Sequence, residues 1–440
     1  MAEPPQARKL GLWMSIALVV GNMIGSGIFL LPASLAPYGL NSIVGWILSA
    51  AGAIALAVVL SRLSRAFPDG GGPYAYTRAA FGPLAAFLVA WGYWINVWVG
   101  NAAIATGAVS YLVPFVPRIG ADPHVSAAVV VAVLWLLTGV NCIGVRAAGW
   151  VQSVTTVLKV LPLLAIAAVG GFAVNVNSLA GNAAVPLSFS AVTASATLTL
   201  FALLGLESAT IPDGKVADPQ RTIPRATMIG TVLTALIYIV SCSTVLILLP
   251  TAQLASSNAP FADVARMFWG SRGAALVALA GAISGFGALN GWILLQGEVP
   301  YVMAKDGVFP RVFARTSKRN TPVVALVFGS ALVTILVFLN AGHSTVRVFT
   351  FMVLLATTAC LVMYLVCSVA LLKLQRQGRL GAARRGTAGL AAAALVGIVY
   401  SLWAIAGAGT EALLWGLVLF GMGGPVYWGM RRAGAGVASG

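Results

Sequence analysis

The chain has 440 residues, 60% of them hydrophobic and 8% charged, whereas a soluble domain carries about a quarter charged residues. That balance excludes a water-soluble globular domain and leaves an integral membrane protein. The 26 Lys and Arg against 10 Asp and Glu give a formal charge of +16, which the orientation of membrane segments and contact with anionic lipids account for without a nucleic-acid partner.

Apolar runs of about 20 residues predict twelve spans, near 12–36, 41–61, 83–112, 125–143, 151–174, 189–211, 225–249, 273–298, 322–340, 346–373, 388–406 and 411–430. The first follows Arg8 and Lys9 and runs well past signal-peptide length, so it is expected to stay in the membrane. With the N-terminus inside, Lys and Arg gather at the cytoplasmic ends of the spans; only Arg118, Arg266, Arg272 and Arg347 fall on the outer side. The expectation is an all-α protein of the cytoplasmic (inner) membrane with both termini in the cytoplasm. Cys142, Cys242, Cys360 and Cys367 lie in apolar runs without metal-ligand spacing, which argues against a disulfide framework or a zinc site.

Span one is interrupted near its middle by Gly25-Ser26-Gly27, with Pro32 following. A helix is broken at membrane depth only where the freed backbone groups face protein or a water-filled cavity. Broken helices at the midplane are how secondary transporters present helix ends to a ligand. In span three, Tyr93, Val97, Gly100, Asn101 and Ile104 fall along one face by helical spacing, and Asn101 brings an amide into it; Asn96 lies on another face. Span five carries Lys159 in its interior, and span six carries Glu207 directly after a second interruption, Phe201-Ala202-Leu203-Leu204-Gly205. Ionisable residues at such depth are functional candidates because burial costs several kcal/mol.

Spans one and six are five apart, and interrupted helices at matching positions of two five-helix halves indicate an inverted repeat. One transporter domain over 1–440 is expected, with a first repeat near 12–174, a second near 189–373 and two further helices near 388–430, suited to packing or to a homodimer contact. A channel would not need two interruptions half the protein apart. A membrane-embedded enzyme would need clustered acids or a metal motif at one interface, and the glycines at 70–72 are not followed by the Gly-Lys-Ser/Thr of a phosphate loop. Neither an enzyme nor a cofactor is indicated.

The string from Gly21 to Ala36, the Gly71-Gly72-Pro73-Tyr74-Ala75-Tyr76 loop, Gly205-Leu206-Glu207-Ser208, the stretch from Asp218 to Ala226, and Asp306-Gly307-Val308-Phe309-Pro310 together resemble the amino acid–polyamine–organocation superfamily. Within it the chain is similar to the bacterial basic amino acid and polyamine antiporters, including the arginine/agmatine exchanger. The resemblance implies the leucine-transporter-like five-plus-five fold, with helices 1 and 6 unwound at mid-membrane, and a small amino acid or amine as substrate, exchanged without sodium. Transport of neutral amino acids, by exchange or proton coupling, is the alternative, because Glu207 is the one acid near the site.

For an amino acid, the N–H groups of Ser26, Gly27 and Ile28 would hold the carboxylate, and carbonyls around Met23, Ile24 and Phe201 to Leu204 would accept from the ammonium. Side chains at Gly25 or Gly27 would obstruct that approach. The resemblance assigns Asn101 to the substrate's distal group, Trp292 to packing along its side chain, Phe201 to closure where the exchanger has tryptophan, and Glu207 to proton sensing. Ala356 aligns with a serine of the exchanger, and its neighbour Thr357 is a weaker match. Tyr93 joins the aromatic gating set. Lys159 stands where the exchanger has a small apolar residue and several sodium-independent carriers have lysine. Its ammonium would occupy the place of a sodium ion, either as a fixed strut or, by losing its proton during the cycle, as a proton-coupling group beside Glu207.

Overall fold

A computed structural model of the chain describes residues 11–25, 27–67, 72–143, 145–174, 185–207, 218–380 and 387–437. Every regular element among them is a helix. In hydrocarbon each backbone N–H and C=O must pair within its own segment, which this apolar sequence achieves only as helix. The chain opens with α1 (Leu12–Met23) and α2 (Gly27–Leu35), followed by α3 (Asn41–Ala66), α4 (Gly72–Phe81), α5 (Pro83–Ser110), α6 (Arg118–Ala121), α7 (Pro123–Ile143) and α8 (Val145–Ala173). It continues with α9 (Phe189–Ala202), α10 (Pro219–Leu248), α11 (Thr251–Ser256), α12 (Pro260–Lys305), α13 (Val323–Leu339), α14 (Thr345–Arg376), α15 (Thr387–Ala406), α16 (Gly409–Gly421) and α17 (Gly423–Val437).

Among the described residues eight helices are long and apolar enough to cross a membrane, and α1 with the helix after it, bent by 45° at their break, makes a ninth span. Three shorter apolar helices, Lys159–Ala173 within α8, α9 and α13, stand beside them. The starts are written locally. Pro83, Pro123 and Pro260 each open a helix, where a missing N–H costs nothing. The Ser188 and Ser344 hydroxyls cap α9 and α14 by accepting from Ala191 N–H and Arg347 N–H.

Two boundaries depart from the sequence expectation. The glycine-rich segment expected as a loop after α3 is helical from Gly72, and α4 lies against α5. Half-burial of Tyr74 on α4, and then the Asp306 carboxylate at the end of α12, push its phenol above the ordinary range. The eighth span, expected from 273, is preceded by helix from Pro260, because α12 is interrupted at Gly270 (φ 63°), a backbone conformation that glycine adopts without a Cβ penalty.

α5 and α14 form the centre and pack against each other along their lengths; α12 flanks α5, and α9 and α10 lie on α3. Hydroxyls cross-link these apolar helices: Ser49 of α3 donates to Ala196 O (2.7 Å) and Thr197 of α9 donates to Ala404 O of α15 (2.7 Å). α16 lies at the periphery and exposes Leu414, Trp415, Leu417 and Val418, a surface that hydrocarbon would solvate.

Candidate functional site

The first break begins where α1 ends. Ile24 leaves the helix with extended backbone (φ −76°, ψ 91°), and Gly25 N–H folds back onto Met23 O (3.0 Å). The final carbonyls of any helix lack intrahelical partners, and here three other helices supply them. Lys159 Nζ of α8 donates to Gly21 O (3.0 Å), Trp292 Nε1 of α12 to Asn22 O (3.4 Å) and Tyr238 OH of α10 to Met23 O (2.9 Å). Ser26 lies outside the described residues.

The second break follows α9. Leu203 and Leu204 N–H close tight turns onto Leu200 O and Phe201 O, and the chain then passes through Gly205 at φ 96°. This positive φ is what requires glycine here, since a Cβ would stand in ordinary contact, 3.4 Å, with Asn22 O and Trp292 Cζ2.

Between the breaks lies a cavity. Of the residues expected at a site, Met23, Gly25, Gly27, Ile28, Phe201, Leu204 and Trp292 line it, and Asn22, Asn96, Gly100, Ile104 and Ala202 complete the wall. The Phe201 ring covers Gly27 closely enough that a Cβ on Gly27 would stand 2.6 Å from Cε1. On the opposite wall a Cβ on Gly100 would meet nothing within 4 Å. Ile24 is fully buried and is not part of the lining.

Asn101 does not reach the cavity wall. Its Nδ2 donates to Gln296 Oε1 (2.8 Å) on α12, and Gln296 Nε2 in turn donates to Ser330 Oγ of α13 (3.1 Å), so the amide belongs to a buried network between helices. Gly100 and Ile104 of the expected face do line the cavity, and Asn96, expected on another face, joins them at four-residue spacing, while Tyr93, Val97 and Asn101 do not line it. The sequence signal for Asn96 was this four-residue spacing centred on Gly100; choosing between it and the face of Asn101 requires the rotation of α5. Ala356 and Thr357 are likewise buried outside the lining, and the Thr357 hydroxyl donates to Val353 O.

Glu207 is fully buried just past the second break and does not line the cavity. Its Oε1 accepts from Tyr93 OH of α5 (3.1 Å) and its Oε2 from Tyr364 OH of α14 (2.7 Å). Backbone N–H groups of Gly205 and Glu207 itself also bond the carboxylate. Tyr93, expected as a gating aromatic, thus serves as a donor to this acid. Lys159 is fully buried at the end of α1, away from the cavity wall.

Comparison with known proteins gives a consistent picture. The model of a family described as amino acid permease matches residues 10–428. A putative arginine/ornithine antiporter of Bacillus subtilis (strain 168) is 34% identical over 406 residues, covering 85% of this chain and 86% of that protein. A cadaverine/lysine antiporter of Escherichia coli (strain K12) is 37% identical over 338 residues, with 76% and 75% covered. A putrescine transporter of Escherichia coli (strain K12) is 32% identical over 433 residues, covering 96% of each.

Proposed function

The chain belongs to the amino acid permease family, and on that premise we propose that it exchanges amino acids or related amines across the cytoplasmic membrane by alternating access. The observation that carries this reading is the meeting of two helix breaks on one cavity, because freed helix ends offer oriented donors and acceptors to a zwitterion. The N–H end of α2 at Gly27 and Ile28, with Ser26 before it, holds the carboxylate. Met23 O already accepts from Tyr238 and Gly25, so the ammonium falls to the carbonyl of Ile24 and to those that close α9. Phe201 over Gly27, with Trp292 beside the breaks, closes the site toward one side.

In this reading the eight long spans, the broken one and the three shorter helices make twelve. They form a single domain over 1–440: repeats near 12–174 and 189–373, two added helices near 388–430 that offer a homodimer contact, and both termini in the cytoplasm. Lys159 on Gly21 O acts as a built-in cation where a sodium-coupled carrier would place its ion, so exchange is sodium-independent. Glu207 couples to protons through its two tyrosines. Each carboxylate oxygen accepts from a phenol, so adding a proton makes one oxygen a donor and forces a phenol to turn or leave.

The names of the relatives point to cationic amino acids and diamines, which favours arginine/agmatine-like antiport. Neutral amino acids are the second reading, favoured by one observation: among the described residues no carboxylate lines the cavity. Uptake of labelled arginine, agmatine, ornithine, putrescine, lysine, citrulline, glutamine and leucine into proteoliposomes, in sodium-free buffer, tests both. Uptake into vesicles preloaded with unlabelled substrate, and not into empty ones, is the expected result. Uptake into empty vesicles driven by an inward proton gradient would replace exchange with symport, and none under either condition would end the reading.

A further inference from the structure

Residues 260–272, at the start of α12, have an inner face and an outer one. Phe261, Val264 and Ala265 are fully buried, whereas Met267, Phe268 and Trp269 are 57%, 43% and 43% exposed, with Arg266 and Arg272 exposed on either side of them. Gly270, at φ 63° and with open space where a Cβ would stand, turns the chain between this segment and the rest of α12. The large exposed side chains along α10 are Ile229, Val232, Leu233, Leu236 and Val240, as hydrocarbon asks; tryptophan beside arginine is the composition of a headgroup boundary. These two arginines are half of the four Lys and Arg expected on the outer side. Among the described residues the one ion pair is Arg221 with Asp218, and Asp263, one turn from Arg266, already accepts from Ser257 Oγ. Both guanidiniums are left without a carboxylate.

The inner face reaches the cavity. Phe261 N–H donates to the Tyr111 hydroxyl (3.2 Å), and that hydroxyl donates to Phe29 O of α2 (2.8 Å). The Phe29 ring stands edge-on to Phe261 and to Tyr111, with centroids 5.4 and 5.5 Å away. Phe29 directly follows Gly27 and Ile28, which open α2 at the cavity wall. We propose that Arg266 and Arg272 bind the phosphates of anionic phospholipid in the outer leaflet, with Met267, Phe268 and Trp269 seated at the headgroup boundary, and that this anchor fixes the substrate-binding end of α2. A guanidinium presents paired donors that match phosphate oxygens. A lipid surface fits better than a protein partner, because the apolar run is continuous with the outer end of a membrane span. The role given to α2 rests on the transport reading; the anchor needs only the outer placement of the two arginines. A binding end held in place costs the substrate less ordering, so anionic lipid lowers the substrate concentration that half-saturates exchange.

Two measurements on the full chain in proteoliposomes test this. The first is half-saturation of exchange, for the most strongly exchanged compound of the uptake panel, in phosphatidylcholine vesicles with and without phosphatidylglycerol. Phosphatidylglycerol should lower it about fivefold in wild type, the scale of one basic side chain at an anionic surface. The double variant Arg266→Gln, Arg272→Gln should keep the phosphatidylcholine value in both, while Arg311→Gln with Arg315→Gln, a cytoplasmic pair, should behave as wild type. Tyr111→Phe keeps the ring and removes both hydrogen bonds, so it should lose the lipid dependence; Phe261→Leu reads the same link if that variant does not fold. The second measurement places a nitroxide through Trp269→Cys in a chain whose four native cysteines are replaced by alanine. The label should be relaxed by oxygen dissolved in the lipid and protected from an aqueous nickel chelate. A lipid-insensitive wild type, lipid dependence retained by the double arginine or the Tyr111 variant, or an equal loss in the cytoplasmic pair overturns the proposal. So does a label open to the chelate, or one shielded from both reagents, which would mark a protein partner or a second copy. Absence of exchange in every vesicle overturns the transport reading and the coupling to α2 with it, and the label still decides the anchor.

Discussion

Gly27 shows how much a single residue decides at this site. A Cβ there would press against the Phe201 ring at 2.6 Å, and the ring is held edge-on to Phe349, centroids 6.3 Å apart. Gly27→Ala should therefore displace Phe201 at an overpacking cost of about 1–3 kcal/mol. Gly27→Trp should fill the cavity and abolish exchange while the protein still runs as a single folded peak in detergent. Substantial exchange by the tryptophan variant would place the substrate elsewhere. Asn96 and Asn101 make the complementary point. Both are amides in one apolar helix, five residues apart, and only their contacts separate them: Asn101 donates to Gln296, and Asn96 lines the cavity. Sequence spacing chose the face of Gly100 and Ile104, which does line the cavity, but could not say which of the flanking asparagines joins it, because that depends on how α5 is rotated against α12 and α14.

At the scale of elements, the breaks are held open by side chains that arrive from far along the chain. Lys159, Tyr238 and Trp292 come from α8, α10 and α12 and together close the exposed end of α1. Glu207, just past the end of α9, is joined to α5 through Tyr93 and to α14 through Tyr364. A titrating carboxyl at this junction would link proton uptake to the packing of three elements. Glu207→Gln removes the titration and keeps the shape, so exchange measured across a pH series should lose its pH dependence in the variant. A profile matching wild type would confine Glu207 to a structural role. The breaks themselves were legible from Gly25-Ser26-Gly27 and from Gly205, since glycine in an apolar helix is a local signal. Their partners were not, since each lies more than 100 residues away.

For the whole molecule, the distribution of Lys and Arg fixes a testable orientation. A single cysteine placed at either terminus, in a chain with Cys142, Cys242, Cys360 and Cys367 replaced by alanine, should react with a membrane-impermeant maleimide only after spheroplasts are opened. Labelling of intact spheroplasts at one terminus alone would require an odd number of spans and break the five-plus-five arrangement. Hydropathy determined by itself that the chain is helical and repeatedly crosses a membrane, and glycine and proline determined where helices start and break, because both are local properties of a segment in hydrocarbon. Tertiary structure alone decided that Asn96 rather than Asn101 lines the cavity where the breaks meet, and that Tyr93 and Tyr364 share Glu207. Those outcomes depend on the rotation and contact of helices distant in sequence, which the order of residues within any one helix does not encode.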